Sequence, residues 1–199
     1  MQPDLVEESA RIYCEEALTD YRAAREKAAE RLGLSPRRAA ADVREIQAAV
    51  IRYQRLFGGR AYAERLGALR HTAVKAMRLI AEFDPRLVGA LISGAITESH
   101  RVQLHAFADK PEQLDWLLEQ RNIPFEVCER HYRFADGREE TVPVLSFGEA
   151  ESGVDVAVFS ERDMRRAPLS SVDGAPMKRL SLPEVEALAA QEPGSLIST

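Results

Sequence analysis

The stretch LVGALISGAITESHRVQLHAFAD, Leu87 to Asp109, decides how this chain is read. Its first six residues, LVGALI, are an apolar run of the length of a buried strand. Gly94 and the small and polar residues around it mark a turn. From Arg101 to Ala108 apolar and polar residues alternate, with Val102, Leu104 and Ala106 on one side, as in a strand with one face inward. Strand, glycine-bearing turn, strand is the expectation for 87–109.

On the N-terminal side the period is helical. Residues 3–83 read as helices, each with an apolar stripe and a charged face. A first helix carries Val6, Tyr13, Leu18, Tyr21 and Leu32 and stops at Gly33. Ser35-Pro36 offers a serine cap and a first-turn proline for a second helix, which carries Val43, Ile46, Val50, Tyr53 and Phe57 and ends at Gly58-Gly59. A third runs from about Ala61 and stops before Asp84-Pro85. On the C-terminal side Pro111 opens a helix, PEQLDWLLEQRN. Phe125 to Phe134 and Glu140 to Phe147 follow as strands, joined by Asp136-Gly137 in a hairpin, and VDVAVF is a further strand from Gly153 to Phe159. A last helix starts near Leu182-Pro183 and fades before Pro193-Gly194. The fold class is therefore α+β, with a helical region over 1–84 and a mixed sheet with flanking helices over 85–199.

The order and spacing of these elements resemble the nucleotidyltransferase superfamily, the one containing DNA polymerase β and the minimal bacterial nucleotidyltransferases. Those proteins place a strand before a Gly-Ser turn, a second glycine a few residues on, then a strand bearing Asp-x-Asp, and a third carboxylate on a later strand. Here the first glycine matches Gly89, followed by Ala90 in place of serine, and the second matches Gly94, preceded by Ser93. The Asp-x-Asp strand falls on Arg101-Val102-Gln103 and the third carboxylate on Asp155. The resemblance covers about residues 85–190, extends to a group of uncharacterised bacterial proteins with a degenerate version of the fold, and implies a ligand site built from Gly89, Ser93, Gly94, Arg101, Gln103 and Asp155.

The departures bear on the chemistry. Nucleotidyl transfer sets two Mg²⁺ ions against the triphosphate and the attacking hydroxyl, and magnesium takes hard oxygen ligands. Two acids one residue apart on a strand point the same way and can share the metals. Arginine has the opposite charge and cannot ligate a cation, a neutral glutamine oxygen is a poor substitute, and Asp155 alone holds Mg²⁺ weakly. No cofactor is expected on these residues. A guanidinium does match phosphate geometry, so Arg101 is a candidate phosphate ligand. The plainer alternatives are that Arg101 pairs with a surface acid such as Glu98, and that Asp155 caps or bridges a strand end.

Other residues offer less. His100 and His105 are five apart on a strand, and alternation sends them to opposite faces. His131 and Cys128 are separated in the same way. Ser93 and Ser99 lack the setting of an activated nucleophile, and His71 lies on a helix. The basic pairs Arg165-Arg166 and Lys178-Arg179 flank SSVDGAP, where they could clamp an anion at the sheet rim or simply be solvated.

Composition sets the outer bounds. The chain has 199 residues, 45% hydrophobic and 30% charged, which suits a globular protein, and no apolar run reaches the ~20 residues of a membrane span. The start is acidic and unlike a signal peptide. The two cysteines, Cys14 and Cys128, lack metal-site spacing and stand far apart, which favours a reduced, cytoplasmic setting. Net charge is −5, the sum of +2 over residues 1–85 and −7 beyond. The arginines of the helical region alternate with glutamates, as on an ion-paired surface, although contact with nucleic acid is open to them.

Three readings of function remain: a catalytically degenerate nucleotidyltransferase-like protein that binds a nucleotide, an RNA or a protein partner; an active metal-dependent transferase with rearranged ligands, such as Asp155 with Glu98 or Asp109; and a protein that dimerises or docks through its N-terminal helices.

Overall fold

The computed structural model describes residues 4–35, 41–149 and 152–191. In chain order these form helices α1 (Leu5–Glu15), α2 (Tyr21–Arg31), α3 (Val43–Phe57) and α4 (Gly59–Leu79), strand β1 (Arg86–Val88), a single helical turn α5 (Ala90–Ser93), strand β2 (Val102–Phe107), helix α6 (Glu112–Gln120), strands β3 (Phe125–Arg133), β4 (Glu139–Phe147) and β5 (Val154–Phe159), and helix α7 (Leu182–Ala189). The protein is α+β, with N-terminal helices followed by a five-stranded mixed sheet. Among the described residues no helix is long and apolar enough to cross a membrane.

The chain packs as two compact units, interleaved in sequence. One takes residues 4–66 and Ser93–His100; the other takes Gly67–Ile92 and residues 101–191. The boundary expected at residues 84 and 85 thus falls inside the second unit, and α4 contributes its first turns to one unit and the rest to the other.

In the first unit the long helix expected up to Gly33 is two helices. Ala17 adopts a left-handed backbone, φ 51, which stops α1. The Asp20 side chain then accepts the Arg22 N–H and starts α2. Gly33, φ 63, ends α2 as its position suggests. Asp42 caps α3 by accepting the Arg44 N–H. The start expected at Ser35-Pro36 lies, from Pro36 on, outside the described residues, as does the end of the last helix at Pro193-Gly194. Leu5, Ile12, Ala28 and Ala29 pack together, and Tyr13 stacks on Tyr21 with centroids 4.6 Å apart.

Ser93–His100 is irregular yet buried in places, and side chains satisfy its carbonyls. Tyr62 donates to Gly94 O at 2.8 Å and Gln54 to Ile96 O at 2.8 Å. Arg65 donates to the carbonyls of Thr97, Glu98 and His100. Three helical side chains thus do the work a sheet partner does elsewhere.

In the second unit the strand order is β1-β2-β5-β4-β3, with β2 and β5 parallel and the other pairs antiparallel. The run LVGALI does not form a six-residue strand. Gly89 turns away at φ 80 after Val88, and Ala90–Ser93 closes a helical turn. The connection between β3 and β4 is a three-residue loop in which Gly137, φ 84, takes the bulge position.

Register sorts the two faces. Leu87, Leu104, Val156, Leu145 and Val127 form one cross-strand row. The first four are buried and Val127, at the edge, is exposed. The neighbouring row, on the opposite face, is Val88, Gln103, Asp155, Ser146 and Glu126. One face is core; the other carries a polar row. Farther along that second face the side chains become apolar again, where Phe107, Tyr132, Phe134, Val142, Val144, Ala157 and Phe159 cluster with Met177.

Candidate functional site

The polar row contains two of the residues singled out by sequence, Gln103 and Asp155. Gln103 is paired with Val88 on one side and Asp155 on the other. The positions matched to the second aspartate and to the third carboxylate are therefore direct cross-strand neighbours on one face. Gly89 belongs to the same cluster. A Cβ there would stand 2.5 Å from Gln103 Oε1, so the glycine meets both its positive φ and the close approach of the amide.

Arg101 precedes β2 by one residue and reaches the same face. Its Nε donates to Asp155 Oδ1 at 2.9 Å and its Nη2 to Phe147 O at 3.3 Å. The expected surface partner Glu98 is not its partner; Asp155 is. Ser146 Oγ donates to the same Oδ1 at 2.9 Å. On the far side Arg130 Nη2 stands 3.9 Å from Asp155 Oδ2. Asp155 is mostly buried, at 13% exposure, while Arg101 keeps 28% and Arg130 42%, so both cations reach solvent beside the carboxylate they flank. Gly153 makes the arrangement fit: a Cβ there would overlap the Arg101 guanidinium at 1.9–2.3 Å. Two arginines thus flank the one aspartate.

This donor set does not fit a magnesium site. Oδ1 of Asp155 already accepts two hydrogen bonds, Oδ2 faces a guanidinium, and the paired position holds an amide. Asp109 lies six residues beyond Gln103, about 20 Å along the strand direction, and Glu126 lies two strands over, about 9.5 Å away. Neither can share a metal with Asp155 at the ~4 Å spacing of paired ions. Glu98 lies in the segment whose carbonyls Arg65 holds. Among the described residues no group of three or more His, Cys, Asp or Glu side chains could hold a metal.

Ser93 and Gly94 are placed in the first unit. Ser93 Oγ accepts the Ala95 N–H at 3.4 Å. Gly94, φ 83, gives its carbonyl to Tyr62, and a Cβ would come within 3.0 Å of that hydroxyl. Both have local structural roles there. The described contacts bring together Gly89, Arg101, Gln103 and Asp155.

The same face holds a pair that sequence did not reveal. His105 is 1% exposed, with its ring 4.6 Å from Phe159 and edge-on to Tyr132. Its Nδ1 accepts Arg179 Nε at 3.1 Å, which leaves the proton on Nε2. Burial, then the charges of Arg179 and Arg130, hold its pKa well below that of a free imidazole. Arg179 lies over the Phe107 and Phe159 rings and donates to the carbonyls of Asp163 and Met164. Burial lowers its pKa to about 10. Arg179 is thus folded onto the sheet rather than clamping an anion at the rim with Lys178. The only sequence sign was a polar residue, His105, in a strand with a buried neighbour on each side. His100 is buried in the first unit, His71 and His131 are exposed, and Cys128 is exposed on the opposite face of β3 from His131.

Comparison with family models, with curated proteins and with solved structures finds no match.

Proposed function

We propose that this protein is a nucleotidyltransferase-like scaffold that binds the phosphate of a nucleotide on its polar sheet face and does not transfer it. The observation that carries the reading is the Arg101–Asp155 hydrogen bond. The guanidinium occupies the side of Asp155 where a transferase would need a cation, and it supplies that charge from within the chain. Arg101 and the neighbouring Arg130 are partly exposed, and a guanidinium is suited to a phosphate. Gln103, held against Gly89, adds an amide on the same row.

Calorimetric titration with each nucleoside triphosphate, with and without Mg²⁺, tests the proposal. Binding is expected without Mg²⁺. Arg101→Gln is expected to weaken it by about tenfold to a hundredfold, from the ~1.5–3 kcal/mol of a hydrogen bond to a charged group. Binding that requires Mg²⁺ and is accompanied by pyrophosphate release would overturn it.

A further inference from the structure

We propose that the free edge of β3 pairs antiparallel with β3 of a second copy of this chain, centred on Cys128, and joins the two sheets into one.

The two edges of the sheet differ. At β1 the edge is closed, because Leu87 and Leu180 exchange both backbone hydrogen bonds at 2.9 Å. At β3 a nine-residue strand has β4 on one side only. The hydrogen-bond phase of β3 follows from the hairpin. Phe134 N–H donates to Arg138 O, so even-numbered residues of β3 turn their backbone groups toward β4. Odd-numbered residues turn theirs outward. Arg133 bears this out: its carbonyl accepts the Leu169 N–H at 2.7 Å on the outer side. Among the described residues no other backbone bond reaches that side. Phe125, Val127, Glu129 and His131 therefore present outward backbone groups, and the middle of that set is Cys128.

That midpoint selects a register. A two-fold axis through residue 128 sets Val127 opposite Glu129 and Phe125 opposite His131, and these are the residues whose groups face out. Two-fold antiparallel pairing keeps each face of the sheet continuous, and residues 128 ± n share a face as the pairing requires. The same axis sets Glu126 opposite Arg130 of the second copy, twice, so both charged positions meet the opposite sign. Shifting the axis by one residue sets Glu129 against Glu129 in one direction and Val127 against Val127 in the other, and either shift loses the Glu126–Arg130 pairs. The edge lacks two common protections: β3 has no proline, and no described backbone bond covers it from Phe125 to His131; Val127 is 55% exposed.

Sedimentation and cross-linking test this together. The protein is expected to sediment as a dimer at micromolar concentration. Val127→Pro removes one outward N–H that β4 does not use, and is expected to give a monomer with its melting transition retained. Glu126→Arg and Arg130→Glu are each expected to weaken the dimer by about tenfold, and the double exchange to restore it. With Cys14→Ser as background, mild oxidation by diamide is expected to join two chains through Cys128, since facing residues that do not hydrogen-bond stand about 4.5 Å apart at Cα. A monomer at these concentrations, a dimer indifferent to Val127→Pro, or charge reversals that the double exchange fails to rescue would each overturn the proposal. The state of association is read without nucleotide, and Val127→Pro, which changes no residue of the Arg101 site, separates this proposal from nucleotide binding.

Discussion

Asp155 has its charge compensated by a side chain, and this makes its own removal informative. In a metal-dependent transferase, replacing the ligating carboxylate abolishes function. Here Asp155→Asn keeps the shape, still accepts from Arg101 and Ser146, and removes the negative charge that competes with an anion for Arg101. Phosphate binding is expected to tighten by a few-fold, read by the same titration. Gly153→Ala acts on Arg101 from the other side. Its Cβ would stand within 1.9–2.3 Å of the guanidinium, so the arginine must leave Asp155. Nucleotide binding is expected to fall although no ligand contact has been mutated, with a stability loss of about 1 kcal/mol seen in urea denaturation. That Arg101 and Gln103 share a face was legible from alternation, while Asp155 was joined to them only as the resemblance implies. Their bonding was not, because it depends on the absence of a side chain at Gly153, and a glycine before a strand has many other uses. The His105–Arg179 contact was less legible still. It joins residues 74 apart, and Arg179 lies in an irregular stretch before α7.

At the scale of elements, Ser93–His100 is the least regular part of the first unit and depends most on particular side chains. Arg65 serves three carbonyls in it. Arg65→Ala is expected to cost about 2 kcal/mol, the penalty of leaving partly buried carbonyls without donors, measurable by denaturant titration. His100 closes the same segment. Its Nδ1 accepts the Thr97 N–H at 2.9 Å and its Nε2 lies 3.2 Å from the Tyr13 hydroxyl. Burial, and then the charge of Arg65, lower its pKa from 6.5 to about 4. As pH falls through 6.5 the unfolded chain takes up a proton at this residue and the folded chain does not. The stability it confers is whole above pH 6.5 and is lost progressively down to about pH 4, where the loss reaches roughly 3 kcal/mol. His100→Asn, which retains an acceptor for Thr97, is expected to flatten the dependence of unfolding free energy on pH across that window.

Where elements followed a sustained period, as at the C-terminal end of α3, in α4 and in the β3–β4 hairpin, sequence and structure agree to within a few residues. They differ where one backbone angle decides. Ala17 at φ 51 divides α1 from α2 although alanine favours helix, and Gly89 at φ 80 ends β1 inside an apolar run. Apolar pattern reports burial, and both segments are buried in part; it does not report the turn.

For the whole molecule, the two packed units do not follow the two regions suggested by a change of period at residue 84. The period records secondary structure, while the units record which side chains meet. A fragment ending at residue 84 contains all four N-terminal helices but lacks His100, the partner of Tyr13, and the carbonyls that Gln54, Tyr62 and Arg65 satisfy. It is expected to show helical circular dichroism without a cooperative melt. A fragment ending at residue 100 restores those partners and is expected to recover at least part of the transition.

The interleaving of the units also orders events during synthesis. The helical unit needs Ser93–His100, so its core cannot close until the ribosome has passed His100 and that segment has cleared the exit tunnel. By then β1 and α5 have emerged, while β2, the strand that pairs with β1, is still inside the tunnel. The first helices therefore wait, with apolar faces uncovered, for a segment that comes after the first strand. A nascent chain stalled with Ser93–His100 still inside the tunnel is therefore expected to bind chaperones more than one stalled after that segment has emerged.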